Sequence, residues 1–119
     1  MTAVRFLENR VKKDPDDLVA LNKLANYYLQ LYRETYDVTY LQLALHSARS
    51  SLSVLGVDQN LSGLLALAQA EYAMHDFAFA RDHAKQITEH QPQKSYGYQV
   101  LGDALLELGE YEQIGRAHV

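Results

Sequence analysis

Leu67-Ala68 returns as Leu101-Gly102, Ala70 as Ala104, His75 as Gly109 and Phe77 as Tyr111, all at the same offset along the chain. No other feature of the chain limits its fold as much. Between the copies lie Ala80, Ala84 and Ile87, four and three positions apart, and then Pro92. That spacing sets the three small or branched residues on one helical face. The offset defines a unit of about 34 residues, which has room for two short helices and cannot bury both apolar stripes alone. Stacked copies share a core, and a returning unit of this length therefore predicts an elongated stack of hairpins.

Helical periodicity runs through the rest of the chain. Phe6, Leu7 and Val11 precede the stop at Asp14-Pro15-Asp16. Leu18, Leu21, Leu24, Ala25, Tyr28, Leu29, Leu31 and Tyr32 form the next series, with Asp16 or Asp17 placed to cap it. A helix from Val38 to Leu55 is carried by Leu41, Ala44, Leu45, Ala48 and Leu52, capped by Asp37 and stopped by Gly56. Further helices are expected over Leu61 to Met74, over Phe77 to His90 behind Asp76, and over Ser95 to Leu108, with another beginning at Tyr111. The breaks are short, so neighbouring helices must run antiparallel.

These residues resemble the tetratricopeptide repeat family. Its unit has a large residue, Leu-Gly or Leu-Ala, a tyrosine-type residue, a turn, spaced alanines and a proline, as at Leu64, Leu67-Ala68, Phe77, Ala80, Ala84 and Pro92. Glu71 stands where the family has an aromatic. The resemblance implies an all-α fold, a tetratricopeptide-type α-α superhelix of stacked antiparallel helical hairpins. Residues 1–15 then read as the second helix of a preceding repeat, 16–57 as an enlarged repeat, 58–92 as a full one and 93–113 as a partial one. Half-units at both ends are the expectation for a piece of a longer array. In the enlarged repeat Leu24 and Ala44 stand seven positions further apart than their counterparts Leu67 and Ala80. The excess fits one extra turn on each helix, with Tyr32, Tyr36 and Tyr40 as an aromatic cap, or a loop inserted through Arg33 to Thr39. Residues 114–119, Ile-Gly-Arg-Ala-His-Val, are what the codons ATC GGA AGA GCA CAC GTC encode, which resembles read-through into a sequencing adapter. This tail is expected to be non-native.

Several function classes lack their residues. The formal net charge is −4, and the one basic cluster, Arg10, Lys12 and Lys13, is followed directly by Asp14, Asp16 and Asp17. That balance argues against nucleic acid as a ligand. No apolar run reaches the length of a membrane span, so no direct membrane contact is expected from this segment. The chain has no cysteine. His75, His83 and His90 are seven or eight positions apart, too far along a straight helix to share a metal. No Gly-rich phosphate loop or nucleophile elbow occurs, so neither catalysis nor a cofactor is expected.

The resemblance does imply a place for a protein or peptide partner. In the family the first helix of each repeat lines a concave groove. The matching positions are Val19, Asn22, Lys23, Asn26, Leu29 and Gln30, then Ser62, Leu65, Ala66, Gln69, Tyr72 and Ala73, then Tyr96, Gln99, Val100, Asp103, Leu106 and Glu107. Asn22, Lys23, Asn26, Leu65, Gln69, Tyr72, Tyr96, Gln99 and Asp103 are the candidate binding residues. Amides and lysine suit a peptide backbone, while the aromatic and leucine side chains suit apolar anchors. Family members that clamp a chaperone's C-terminal carboxylate use lysine and asparagine, then asparagine, then a basic pair. Only Asn26 matches that set, whereas Asn22, Ala66, Tyr96 and Val100 depart from it. The expected function is a scaffold that binds a partner in the groove. The alternative is a helical appendage that regulates or positions an enzyme domain lying outside this chain.

Overall fold

A computed structural model describes residues 2–109. The helix expected from Tyr111 and the tail 114–119 lie outside the described residues. Six α-helices run in order: α1 Thr2–Lys13, α2 Leu18–Thr35, α3 Val38–Val54, α4 Leu61–Ala73, α5 Phe77–His90 and α6 Ser95–Glu107, with a 3-10 turn at Val57–Gln59 between α3 and α4. No strand occurs among the described residues. No helix there is long and apolar enough to cross a membrane.

Local chemistry sets the helix ends. Asp17 caps α2 by accepting the Ala20 N–H at 3.1 Å, and Asp37 caps α3 through Thr39 N–H at 3.0 Å. Asn60 does the same for α4 through Gly63 N–H at 3.1 Å. Asp76 holds the cap position of α5, but its side chain makes no capping bond. The reversals after α2 and α4 use left-handed residues, Tyr36 at φ 57° and His75 at φ 66°, and Gly109 repeats this at φ 75°. His75 and Gly109 are the pair that the repeat places in register, so the register extends to backbone conformation.

The seven extra residues are helical. Only Tyr36 and Asp37 separate α2 from α3, which excludes the inserted loop. The α2 helix has 18 residues and α3 has 17, against 13 and 14 in α4 and α5. Tyr32 and Tyr36 meet edge to face at 6.2 Å, while Tyr28 stacks on Tyr40 at 6.5 Å. Tyrosines thus line the extended end of this hairpin.

Each helix packs against the next, and α4 also touches both α2 and α6. The helices α2, α4 and α6 therefore form one layer, with α3 and α5 bound to its other side. The stack measures 50 × 31 × 19 Å. Its main core runs from Val4 and Leu7 through Leu24, Tyr28, Leu29, Leu41 and Ala48 to Leu64, Leu67 and Ile87, and Ala68, Ala84 and Val100 form a second cluster. Phe6, expected on the buried stripe of α1, is 60% exposed, and the Arg10 guanidinium lies 6.0 Å from its ring centre. Val4 takes the inward place.

Close approach depends on missing side chains as much as on present ones. A Cβ on Gly63 would stand 2.8 Å from Asn60 Nδ2 and 2.9 Å from Ser51 Oγ. A Cβ on Gly97, at the matching position of the next unit, would stand 2.8 Å from Ile87 Cγ2 and 3.2 Å from Thr88 Cγ2. At Gly102, the glycine of the recurring Leu-Ala/Leu-Gly pair, a Cβ would meet nothing within 4 Å among the described residues. Gly97→Ala should lower the unfolding free energy by about 1–2 kcal/mol, because overpacking against the fully buried Ile87 outweighs alanine's helix propensity. Urea unfolding measures it, and a stability equal to or above wild type would contradict this packing.

Candidate functional site

The layer of α2, α4 and α6 presents a concavity of about 350 Å³ lined by Arg33, Gln69, Tyr72, Ala73, Gln99, Val100 and Asp103. Four of the expected binding residues, Gln69, Tyr72, Gln99 and Asp103, converge there. Ala73 and Val100 supply its apolar floor. The Tyr72 ring rests edge-on against Phe77 at 5.3 Å, and His75 stacks on the same Phe77 at 5.3 Å. The turn after α4 thereby fixes the aromatic wall. The Tyr72 hydroxyl donates to Glu107 Oε1 at 3.4 Å. Burial raises its pKa, with further upward pushes from the Glu107 and Asp103 carboxylates, so it stays a neutral donor.

Leu65 and Tyr96 meet elsewhere. They line a second concavity of about 370 Å³ at the opposite ends of α4 and α6, with Asp58, Gln59, Leu61, Ser62 and Gln91. Lys23 and Asn26 are exposed on α2 and line neither concavity. Asn22 is turned inward. Its Nδ2 donates to Asn60 Oδ1 at 3.2 Å and its Oδ1 accepts from the Ser51 hydroxyl. Asn60 Nδ2 reaches Ser51 Oγ at 2.8 Å and Leu55 O at 3.1 Å. Ser51 and Asn60 are buried, so this network ties α2, α3 and the start of α4 together. Leu29 and Ala66, both placed on the groove by register, are also buried in the core. Their side chains belong to the helix contacts.

Glu71 likewise points away from the groove, into the α4–α5 contact. It is 4% exposed, and its Oε1 lies 2.6 Å from His83 Nδ1. Phe79 stacks on the His83 ring at 6.5 Å. The position where the resemblance calls for an aromatic thus holds a buried carboxylate answered by a histidine one helix on. Sequence spacing hides this pair, since Glu71 and His83 belong to different helices and meet only through the hairpin. Sequence reasoning also misses Arg33 as a groove residue, because it falls in the segment that two readings of the insertion leave open. Among the described residues no group of three or more His, Asp or Glu side chains is placed to hold a metal.

The Glu71 hydrogen bond raises the His83 pKa above its ordinary 6.5, with burial opposing and Asp82 adding. A histidine raised on folding stabilises the fold fully below its unfolded value, and the contribution disappears as pH rises through the folded one. His90 is raised in the same direction, first by the Gln86 carbonyl and then by Asp58, but it lies in solvent. The urea midpoint should therefore decline as pH rises above the unfolded histidine value of 6.5. His83→Gln should flatten that profile, while His90→Gln should leave most of it. A pH-independent midpoint in the wild type would contradict the raised His83 pKa.

Comparison with family models, with curated proteins and with solved structures gives no match to this chain. Its functional reading rests on the residues just described.

Proposed function

We propose that the chain is a run of tetratricopeptide-type hairpins whose α2–α4–α6 face holds an extended segment of a protein or peptide. Several features support the superhelical reading. Hairpins alternate with short connections, the glycines of closest approach recur in the repeat register, and the first helices of successive hairpins touch each other.

One observation carries the binding reading. Gln69 and Gln99 converge on one concavity between α4 and α6, and they and the exposed Asn26 of α2 make no side-chain hydrogen bond among the described residues. An amide offers both a donor and an acceptor, which is what each residue of an extended backbone requires. The Tyr72 ring and the Val100 floor beside Gln69 and Gln99 can bury an apolar side chain of the same segment. Asp103 is the one carboxylate on the lining of the concavity, and no Ser, Thr, Cys, Lys or His lines it beside that group. Holding a partner is the work this surface is equipped for.

The test uses linear dodecapeptides selected from a random displayed library on the whole chain. Asn26→Ala, Gln69→Ala and Gln99→Ala combined should weaken the selected peptides at least tenfold, roughly 1.4 kcal/mol or more. The same number of changes on the other side, Gln42→Ala, His46→Ala and Lys85→Ala, should leave affinity within twofold. Equal loss from both sets, or loss only from the second, would reject the proposed face.

A further inference from the structure

Arg33 occupies a place in the concavity that only the enlarged hairpin can fill. Leu24 corresponds to Leu67, so Arg33 corresponds to Asp76, where the second hairpin has already left its first helix at Ala73. In the first hairpin α2 continues to Thr35. Its additional turn carries the Arg33 guanidinium past the end of α4 to the rim of the space between α4 and α6. There the guanidinium has no ion-pair partner among the described residues, although Asp103 lines the same concavity. The Tyr72 hydroxyl, protonated and donating to Glu107, carries no charge that could neutralise it.

The concavity is thus bipolar. A planar cation stands on the α2 side, Gln69 and Gln99 lie between, and Asp103 with Glu107 makes the α6 side negative. A guanidinium presents parallel N–H donors that match the two oxygens of a carboxylate, and the apolar floor of Ala73 and Val100 beside it can take the stem of the same side chain. A phosphate dianion fits less well, because its second charge would sit in the field of two nearby carboxylates.

We infer that the extra turn of α2 makes this concavity selective for a peptide segment that pairs an aspartate or glutamate side chain with Arg33 and presents a basic residue, a few positions away, to Asp103. The inference rests on the peptide-binding reading above and names its ligand. The added turn is the specificity element. Without it the groove keeps its amides and aromatic wall but loses its anion-binding end.

The test starts from the same selected dodecapeptides, synthesised with acetylated and amidated ends so that only side chains carry charge. Selected sequences should be enriched in Asp or Glu with Lys or Arg nearby. Arg33→Gln, whose fold is checked by circular dichroism, should weaken them about tenfold. Changing the acidic residue of the peptide to its amide should weaken wild type by a similar factor and Arg33→Gln scarcely further. Arg33→Lys should recover part of the loss. Peptides sensitive to Gln69→Ala and Gln99→Ala but indifferent to Arg33→Gln would overturn this inference and leave the groove standing. A phosphoserine peptide that binds more tightly than its glutamate counterpart would overturn the preference for a carboxylate. A selection that yields no peptide sensitive to any of these positions would overturn both readings.

Discussion

The approach of each hairpin to the one before it is close enough to exclude a Cβ, and the rest of the molecule follows from that distance. Gly63 opens α4 against Ser51 and Asn60, and Gly97 opens α6 against Ile87 and Thr88. With no side chain at these points, the first helix of one hairpin settles onto the second helix of the preceding one. The fully buried alanines at 44, 48, 68, 80, 84 and 104 allow the same closeness further along. Packing at interior density then leaves little freedom in the angle between hairpins. The α2–α4–α6 layer, and the concavity on it, are the geometric result.

Polar contacts inside this packing distinguish one interface from the next. Tyr28 is buried and donates its hydroxyl to Glu8 at 2.5 Å, joining α2 to α1, and burial followed by that carboxylate raises its pKa. Asn22, Ser51 and Asn60 join α2, α3 and the start of α4. Glu71 and His83 join α4 to α5. Tyr28 and Glu71 occupy the same register position in successive units, yet one bonds to the helix before it and the other to the helix after. An unpaired polar atom in a core costs about 1–3 kcal/mol, so each contact disfavours a hairpin docking in its neighbour's place. Apolar burial alone would discriminate less, since the alanine stripes of the units are alike.

The elements themselves are legible in the sequence, for physical reasons. Apolar spacing of three and four marks a helix, and Asp or Asn before Leu18, Val38 and Leu61 marks where each begins, so the expected helices match those observed to within a turn. The same repeat register aligns His75 with Gly109, and both prove left-handed. Direction within the groove is less legible. Asn22, Leu29 and Ala66 lie at positions that register assigns to the groove, but all three turn toward neighbouring helices, as does Glu71. Whether a polar side chain faces in or out depends on a partner elsewhere in the chain, and the partners of Asn22 and Glu71, Ser51 and His83, each stand one helix on. Arg33 is hidden differently, since its role depends on α2 outlasting α4, which periodicity suggests but cannot choose over a loop.

Departures from the regular unit therefore carry most of what is particular to this chain. The repeat supplies a layer, the glycines bring its helices together, and seven extra residues set a guanidinium at one end of an amide-lined concavity. A nitrogen-15 amide-shift titration with a selected acidic dodecapeptide tests that account most directly. It predicts the largest shifts at Arg33, Gln69, Tyr72, Gln99 and Asp103, with the Arg33 side-chain Nε–H resonance moving as the peptide carboxylate binds. Shifts centred on Leu43, His46 and Phe79, with the α2–α4–α6 layer unmoved, would contradict it.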